Sequence, residues 1–376
     1  MLEFIKDYKF GNFTIHSDIG KTRNNLLQAT KTLKEFSISN TGVEPFITIN
    51  STGGFIMDAT TSLPTNIALS NAKVSTIQTV NELYAKELRA LGVNTVINGY
   101  VCNNEDINSS LNTYGTDITK AMAVSTIASD GLKANGVIMI PELSGDYYYS
   151  DARSLEDIKA TDWKLIETAI KNGSQIISLP ASIYVEAEDN YYGTLSAEYL
   201  KAYIRDELNY DGIIMMGNDA LGNLIYDENL YTYITLAVNM GVDMFGFDIN
   251  VTTSRWSSTK EQTELFLSVY DHIVSATQSG EISIDRVKES VARILLVKLR
   301  NNIIGDTTDY SEFNFSKNSS QITNHAPEFI TYVGEKFIID KDDDVLIISE
   351  SYEHTGTQYS LGDNVRKFFE VRGRMG

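Results

Sequence analysis

The chain has 376 residues, 42% of them hydrophobic and 22% charged, with a formal net charge of −19. This is a soluble globular composition, and its acidity argues against nucleic acid, because phosphate binding needs clustered Lys and Arg. A lone cysteine, Cys102, excludes an internal disulfide and a cysteine-based zinc site, and no apolar run approaches the roughly 20 residues of a membrane span.

Strand-like and helix-like segments alternate for most of the chain. "NFTIHS" (Asn12–Ser17) reads as a strand, and "KTRNNLLQATKTLKEF" (Lys21–Phe36) carries apolar residues at helical spacing. "PFITIN" (Pro45–Asn50) is a strand, "IQTVNELYAKELRALG" (Ile77–Gly92) a helix, and "NTVIN" (Asn94–Asn98) a strand. The helix Asp117–Gly136 precedes "VIMI" (Val137–Ile140), and the helix Asp162–Gly173 precedes "QIISLP" (Gln175–Pro180). A Ser N-cap opens the helix Ser196–Asn209, which runs into the strand of "YDGIIMMGNDALG" (Tyr210–Gly222). The helix Tyr231–Gly241 leads to "DMFGF" (Asp243–Phe247), and the helices Thr263–Gly280 and Ser283–Ile303 end the series. The strands are short continuous apolar runs, as expected of parallel strands buried on both faces. About seven strands alternating with helices, without a G-x-G-x-x-G after the first, predict a (β/α)8 TIM-type barrel, possibly irregular, over residues 1–304.

The texture then changes. Residues 305–340 are polar and pattern-poor at their start, and read as a surface linker. Residues 341–376 offer one strand, a loop and a short helix, a partial α/β unit too small to bury its own core. Such an incomplete extension is expected to dock on the barrel, to pair with a protein partner, or to make a homo-oligomer.

The order of landmarks resembles the N-terminal barrel of glycoside hydrolase family 3, the family of bacterial β-N-acetylhexosaminidases and β-glucosidases. "PFITINSTGGFIMDATTSLPTNIAL", "ELYAKELRALGVN" and "GTLSAEYLKAYIRDELNYDGIIMM" are similar to family segments in the same order. So are "AVNMGVDMFGF" and "SGEISIDRVKESVARILLVKL". "DDDVLIIS" resembles the first strand of the second domain of longer members.

The resemblance implies a retaining glycosidase, which needs a carboxylate nucleophile and an acid/base about 5 Å apart. Counted from Asp211-Gly212, the family's nucleophile falls on Gly217, which has no side chain. Asp219, two residues on, is either a turn former or helix N-cap, or a relocated nucleophile. The family's Lys-His acid/base segment corresponds to Gly136–Ser154, which contains neither residue type and offers Glu142, Asp146 and Asp151 instead. The sugar-holding Asp and Arg of the family align with Asn50 and Asn112, which can still hydrogen-bond a neutral sugar but cannot make charge-assisted bonds. Asn218, and Tyr147 and Tyr148 of "DYYYSD", are expected in loops at the barrel mouth, where tyrosines stack on sugar rings, anchor a protein or simply order the loop. His16 ends the first strand and either faces the mouth or serves structure, while His272 is expected to be a superficial mid-helix residue. No two histidines share metal-ligand spacing, so neither metal nor cofactor is expected.

The expected function is therefore a family 3-like barrel without hydrolytic activity, kept for carbohydrate binding or protein assembly. The first alternative is a glycosidase using Asp219 with Asp146 as proton donor. The second is a structural surface protein without glycan binding. The start "MLEFIKDYKFGNF" shows no signal peptide, so the compartment stays open between a bacterial cell surface, if a signal was removed, and the cytoplasm.

Overall fold

The structure, a computed structural model, describes residues 6–15, 19–51, 59–100, 113–115, 117–142, 150–151, 154–179, 183–184, 198–217, 229–246, 259–306 and 308–330. Its frame is a seven-stranded parallel sheet: β1 (Asn12–Ile15), β2 (Phe46–Asn50), β3 (Thr95–Tyr100), β4 (Ile138–Glu142), β6 (Ile176–Leu179), β8 (Ile213–Met216) and β9 (Met244–Phe245). These strands lie side by side in chain order, and every pairing is parallel. A two-stranded ladder of β5 (Ser150–Asp151) and β7 (Ile183–Tyr184) stands apart from the sheet. The helices are α1 (Arg23–Thr41), α2 (Asn66–Leu69), α3 (Val74–Ala90), α4 (Ile118–Lys133), α5 (Leu155–Ile158) and α6 (Lys164–Lys171). They continue with α7 (Glu198–Glu207, wound with π-type bonding), α8 (Leu230–Met240), α9 (Thr259–Ser279), α10 (Ile284–Arg300) and α11 (Phe315–Thr323). Strands in sequential order with helical crossovers are the TIM-type α/β barrel that the alternation predicts.

Local chemistry sets the helix ends. Thr22 caps α1, its Oγ1 accepting from the Asn25 amide at 3.1 Å. The helix runs five residues beyond the expected Phe36, through Thr41. Thr41 Oγ1 donates back to the Ser37 carbonyl at 2.8 Å, and Gly42 at φ 74° supplies the left-handed stop. Helices α3 and α4 pack closely because Gly131 has no side chain: a β-carbon there would stand 2.8 Å from the Gln78 carbonyl oxygen.

Alternation along each strand divides the interior in two. Ile47, Ile49, Val96, Met139, Ile177, Leu179, Ile214 and Met216 join the large cluster that packs against the helices. Phe46, Ile138, Ile140, Ile176, Ile213 and Met215 form a second cluster, which fills the lumen of the sheet. Val297 and Ile303, from α10 and the turn beyond it, belong to the lumen cluster. Around them Lys298 Nζ donates to the Gly11 carbonyl at 3.0 Å, and Asn301 Nδ2 donates to Gln175 Oε1 at 2.7 Å. Gly11 precedes β1 and Gln175 precedes β6, so the end of α10 closes the lumen at the N-terminal edge of the strands.

The same edge carries an ionic hub. The Asp243 carboxylate has no exposed side-chain surface and accepts from Arg205 at 2.5 Å, Arg286 at 2.9 Å and Arg293 at 3.1 Å. Ser290 Oγ donates at 2.8 Å and the Ile214 amide at 3.0 Å. One side chain thus ties α7, α10, β8 and the start of β9 together. Burial opposes its charged form, yet the Arg205 charge and the bonds from Arg286, Ile214 and Ser290 prevail, holding its pKa below the ordinary carboxylate value.

Within the polar stretch expected to be a linker, residues 308–330 fold onto the barrel instead. Helix α11 lies on α3, with Ile322 and Phe329 in the large cluster and Asn318 buried. Asn318 Nδ2 donates to the Leu83 carbonyl at 3.1 Å and to Glu87 Oε2 at 3.3 Å. Thr76 Oγ1 donates to Glu328 Oε2 at 2.5 Å, and Arg89 pairs with Asp306. A nine-residue helix with two buried positions is too short to show periodicity by itself, and tertiary contacts supply its stability.

Two predictions follow from the N-terminal edge. Asp243→Asn keeps the shape of the side chain but leaves three guanidinium groups around a neutral amide, so urea denaturation should show a loss of about 3–5 kcal/mol. Because the folded pKa of Asp243 is depressed, its contribution is present above the unfolded carboxylate pKa of about 4 and is lost as pH falls through the folded value. Lys298, 2% exposed, has linkage of the same sign at higher pH. Burial holds its pKa down to about 8, so the folded chain sheds a proton that the unfolded chain keeps to about 10.4. Wild-type stability relative to Lys298→Met should therefore rise between pH 8 and pH 10, as read from urea midpoints; a constant difference would exclude the lowered pKa.

Candidate functional site

In a parallel barrel the C-terminal ends of the strands carry the working groups, because the loops there are free to vary over a fixed frame. Strand parity identifies the lumen side at that end. On β2, Phe46 lies in the lumen cluster and Ile47 and Ile49 in the outer one, so Asn50 falls on the lumen side of the last rung. It is exposed, and its backbone pairs with Ile97. On β6, Ile176 faces the lumen and Ile177 and Leu179 face the helices, which puts Ser178 on the lumen side. On β8, Ile213 and Met215 face the lumen, so Gly217, the next residue after the strand, follows on the same side. A β-carbon built at Gly217 would stand 2.9 Å from Ser178 Oγ, which agrees with that placement. Gly246 follows β9 at the corresponding height; its amide donates to the Met216 carbonyl at 2.9 Å, and a β-carbon there would lie 3.8 Å from Gly217 Cα.

Buried polar contacts brace the strand ends from behind. Ser51, just after Asn50, hydrogen-bonds the Tyr84 hydroxyl at 3.4 Å. Glu87, fully buried on α3, accepts from the Thr61 amide at 2.9 Å and the Thr61 hydroxyl at 2.6 Å, fixing the segment that returns from the β2 loop. Asn66 Nδ2 donates to Asn98 Oδ1 at 3.2 Å behind β3. These groups are satisfied within the frame, as buried polar groups must be, and so serve position.

The structure brings Asn50, Ser178, Gly217 and Gly246 to one end of the sheet. Asp219, Asp146, Asn112, Asn218, Tyr147, Tyr148 and His16, also expected at this end, lie outside the described residues. The backbones of Glu142 and Asp151 are described, pairing with Ser178 and Tyr184 respectively. His272, expected to be superficial, is half-buried on α9, with Nε2 2.8 Å from Thr235 Oγ1 and its ring against Tyr231. No three His, Cys, Asp or Glu side chains converge on a metal-sized point among the described residues. Nor is any described helix long and apolar enough to cross a membrane. Sequence reasoning missed Ser178, because a hydroxyl inside "QIISLP" carries no motif. Only strand parity against the neighbouring Ile177 and Leu179 could have singled it out.

Comparisons with known proteins agree with this frame. The glycosyl hydrolase family 3 N-terminal domain matches residues 1–297. A family 3 β-N-acetylglucosaminidase from Paenibacillus sp. str. FPU-7 superposes with a TM-score of 0.76 at 19% identity, covering 90% of this chain and 67% of that one. The β-N-acetylglucosaminidase of Thermotoga maritima gives a TM-score of 0.65 at 14% identity, covering 99% of this chain and 77% of that one. An uncharacterized secreted glycosyl hydrolase of Arthroderma benhamiae is 26% identical over 147 residues, 39% of this chain and 38% of the relative, so the match spans well under two thirds of that protein. By its barrel, from the first strand to the closing helix, the chain belongs to glycosyl hydrolase family 3.

Proposed function

We propose that this chain is a non-hydrolytic family 3 barrel that binds carbohydrate at the C-terminal end of its strands. The observation that carries the reading is Gly217. It stands on the lumen side at the end of β8, at the position where the family resemblance expects the nucleophile, and it offers no side chain. Retaining hydrolysis needs a carboxylate to form the glycosyl-enzyme and a second group to protonate the departing oxygen. Glycine supplies neither, and the described neighbour, Ser178, is a neutral hydroxyl that does not ionise near neutral pH. Asn50 is also neutral. Neutral donors and acceptors on a rigid frame suit the hydroxyls of an uncharged sugar.

Carbohydrate is favoured over other ligands by membership of the family and by the β-N-acetylglucosaminidases among the structures it superposes on. An extracellular setting belongs to the same proposal, in keeping with the relative named as secreted.

Incubation with chromogenic β-N-acetylglucosaminide and β-glucoside should give no release above the buffer rate, for the wild type and for Gly217→Asp alike. Restoring one carboxylate leaves the leaving oxygen without its acid, and general acid catalysis alone is worth about 10²–10⁴-fold. Wild-type turnover abolished by Asp219→Asn would instead overturn the non-hydrolytic reading in favour of a relocated site, and the same loss in Asp146→Asn would be needed to name its proton donor. Calorimetric titration with N-acetylglucosamine should show saturable binding to the wild type; none there or with glucose would leave the assembly role through residues 341–376.

A further inference from the structure

Residues behind β2 hold both ends of the loop that follows it. Tyr84 and Glu87 stand three positions apart on α3, and both are fully buried. Where the chain leaves β2, Ser51 Oγ donates to the Tyr84 hydroxyl at 3.4 Å. Where it returns, the same hydroxyl is hydrogen-bonded to the Thr60 side chain. Glu87 accepts there from the Thr61 amide at 2.9 Å and the Thr61 hydroxyl at 2.6 Å. Ser51 directly follows Asn50, the exposed residue on the lumen side of the last rung.

Helix α11 acts on the same returning segment by two routes. Asn318 Nδ2 donates at 3.3 Å to Glu87 Oε2, the oxygen that also holds the Thr61 hydroxyl. Three residues earlier, the Arg23 guanidinium lies over the Phe315 ring, 5.1 Å from its centroid, and Arg23 Nε donates to the Ala59 carbonyl at 3.3 Å. Arg23 Nη2 also stands 3.8 Å from Glu87 Oε1. Phe315, Asn318 and Ile322 share one face of α11, and Ile322 anchors it in the large cluster. Apolar contacts alone would dock the helix. The polar groups on this face converge instead on residues 59–61, and a fully bonded buried polar network makes a segment rigid in one place.

We infer that Glu87 and Asn318 are positioning residues of the open end, and that α11 is the brace that fixes both ends of the β2 loop and so the place of Asn50. A binding group must be held to within about 0.5 Å, which the side chains behind it supply. The ligand role of Asn50 rests on the carbohydrate-binding reading; the brace does not.

The test compares Asn318→Ala with Thr76→Val in the full chain, by amide hydrogen exchange and by calorimetric titration with N-acetylglucosamine and glucose, with thermal melts to confirm that both variants fold. Asn318→Ala removes the bond to Glu87 and keeps Phe315 and Ile322. Thr76→Val loosens the same arm at Glu328 without touching Glu87, and so controls for docking strength. Asn318→Ala should speed exchange of the Thr61 amide about tenfold, as expected for one lost buried hydrogen bond. It should weaken sugar binding roughly two- to thirtyfold. Thr76→Val should change neither. Unchanged exchange at Thr61 in Asn318→Ala, or equal acceleration in Thr76→Val, overturns the inference. So does faster exchange with unchanged sugar affinity. A wild type that binds neither sugar overturns the carbohydrate reading, and the exchange rates then decide the brace by themselves.

Discussion

A strand in a parallel sheet covered on both sides has two faces, and neither faces bulk water. That constraint governs the molecule. Ile47, Ile49, Ile177, Leu179, Ile214 and Met216 must pack on helices, and Phe46, Ile138, Ile140, Ile176, Ile213 and Met215 must pack on one another across the lumen. Val297, Lys298 and Asn301 of α10 and the turn beyond it cover the N-terminal edge, which leaves the last rung of each strand as the expected place for a ligand. Position along a strand then decides what a residue can do. Asn50, Ser178 and Gly217 are at the end that opens; Asp243, no less polar, is at the end that closes.

Charge is distributed unequally between those ends. At the closed end one carboxylate gathers three guanidinium groups and a buried ammonium lies against the Phe46 ring, 4.8 Å from its centroid. Buried charges are costly unless fully bonded, so Asp243 is bonded by five donors. Its role is to hold α7, β8, the start of β9 and α10 in one arrangement. At the open end Asn50 and Ser178 are neutral, and Glu142 ends β4 with its backbone paired to Ser178. A site for breaking glycosidic bonds would need the reverse, with ionised groups exposed to substrate and aimed at one atom.

The frame was legible in the sequence because its signals are local. Short apolar runs such as "IISL" and "GIIMM" declare strands, and Gly42, Gly136 and Gly173, all at positive φ, mark helix ends. The α10 boundaries shifted by only one residue at the start and three at the end. The residues that depend on distant partners were not legible. The docking of 308–330 rests on Asn318 reaching Glu87 and Glu328 reaching Thr76, contacts separated by more than 230 positions. His272 seemed superficial because its partner, Thr235, lies on another helix. At the site, the glycine at the position that the resemblance gives to the nucleophile could be counted from Asp211-Gly212, whereas the lumen-side place of Ser178 emerges only from strand parity.

Gly217 and Ser178 make sense together. In a barrel with a carboxylate at the first position, a hydroxyl beginning 2.9 Å from its β-carbon would have to turn aside or be replaced. With glycine there, the hydroxyl can occupy the approach itself. A carboxylate at that point attacks a sugar carbon and holds it covalently; a serine hydroxyl, without a base to activate it, can only hydrogen-bond. Since the frame behind the site is fixed by contacts at the other end of the strands, that exchange requires no adjustment of the fold. A barrel can keep its stability hub and its strand order whichever residues stand at its open end, because the fold does not fix the chemistry there.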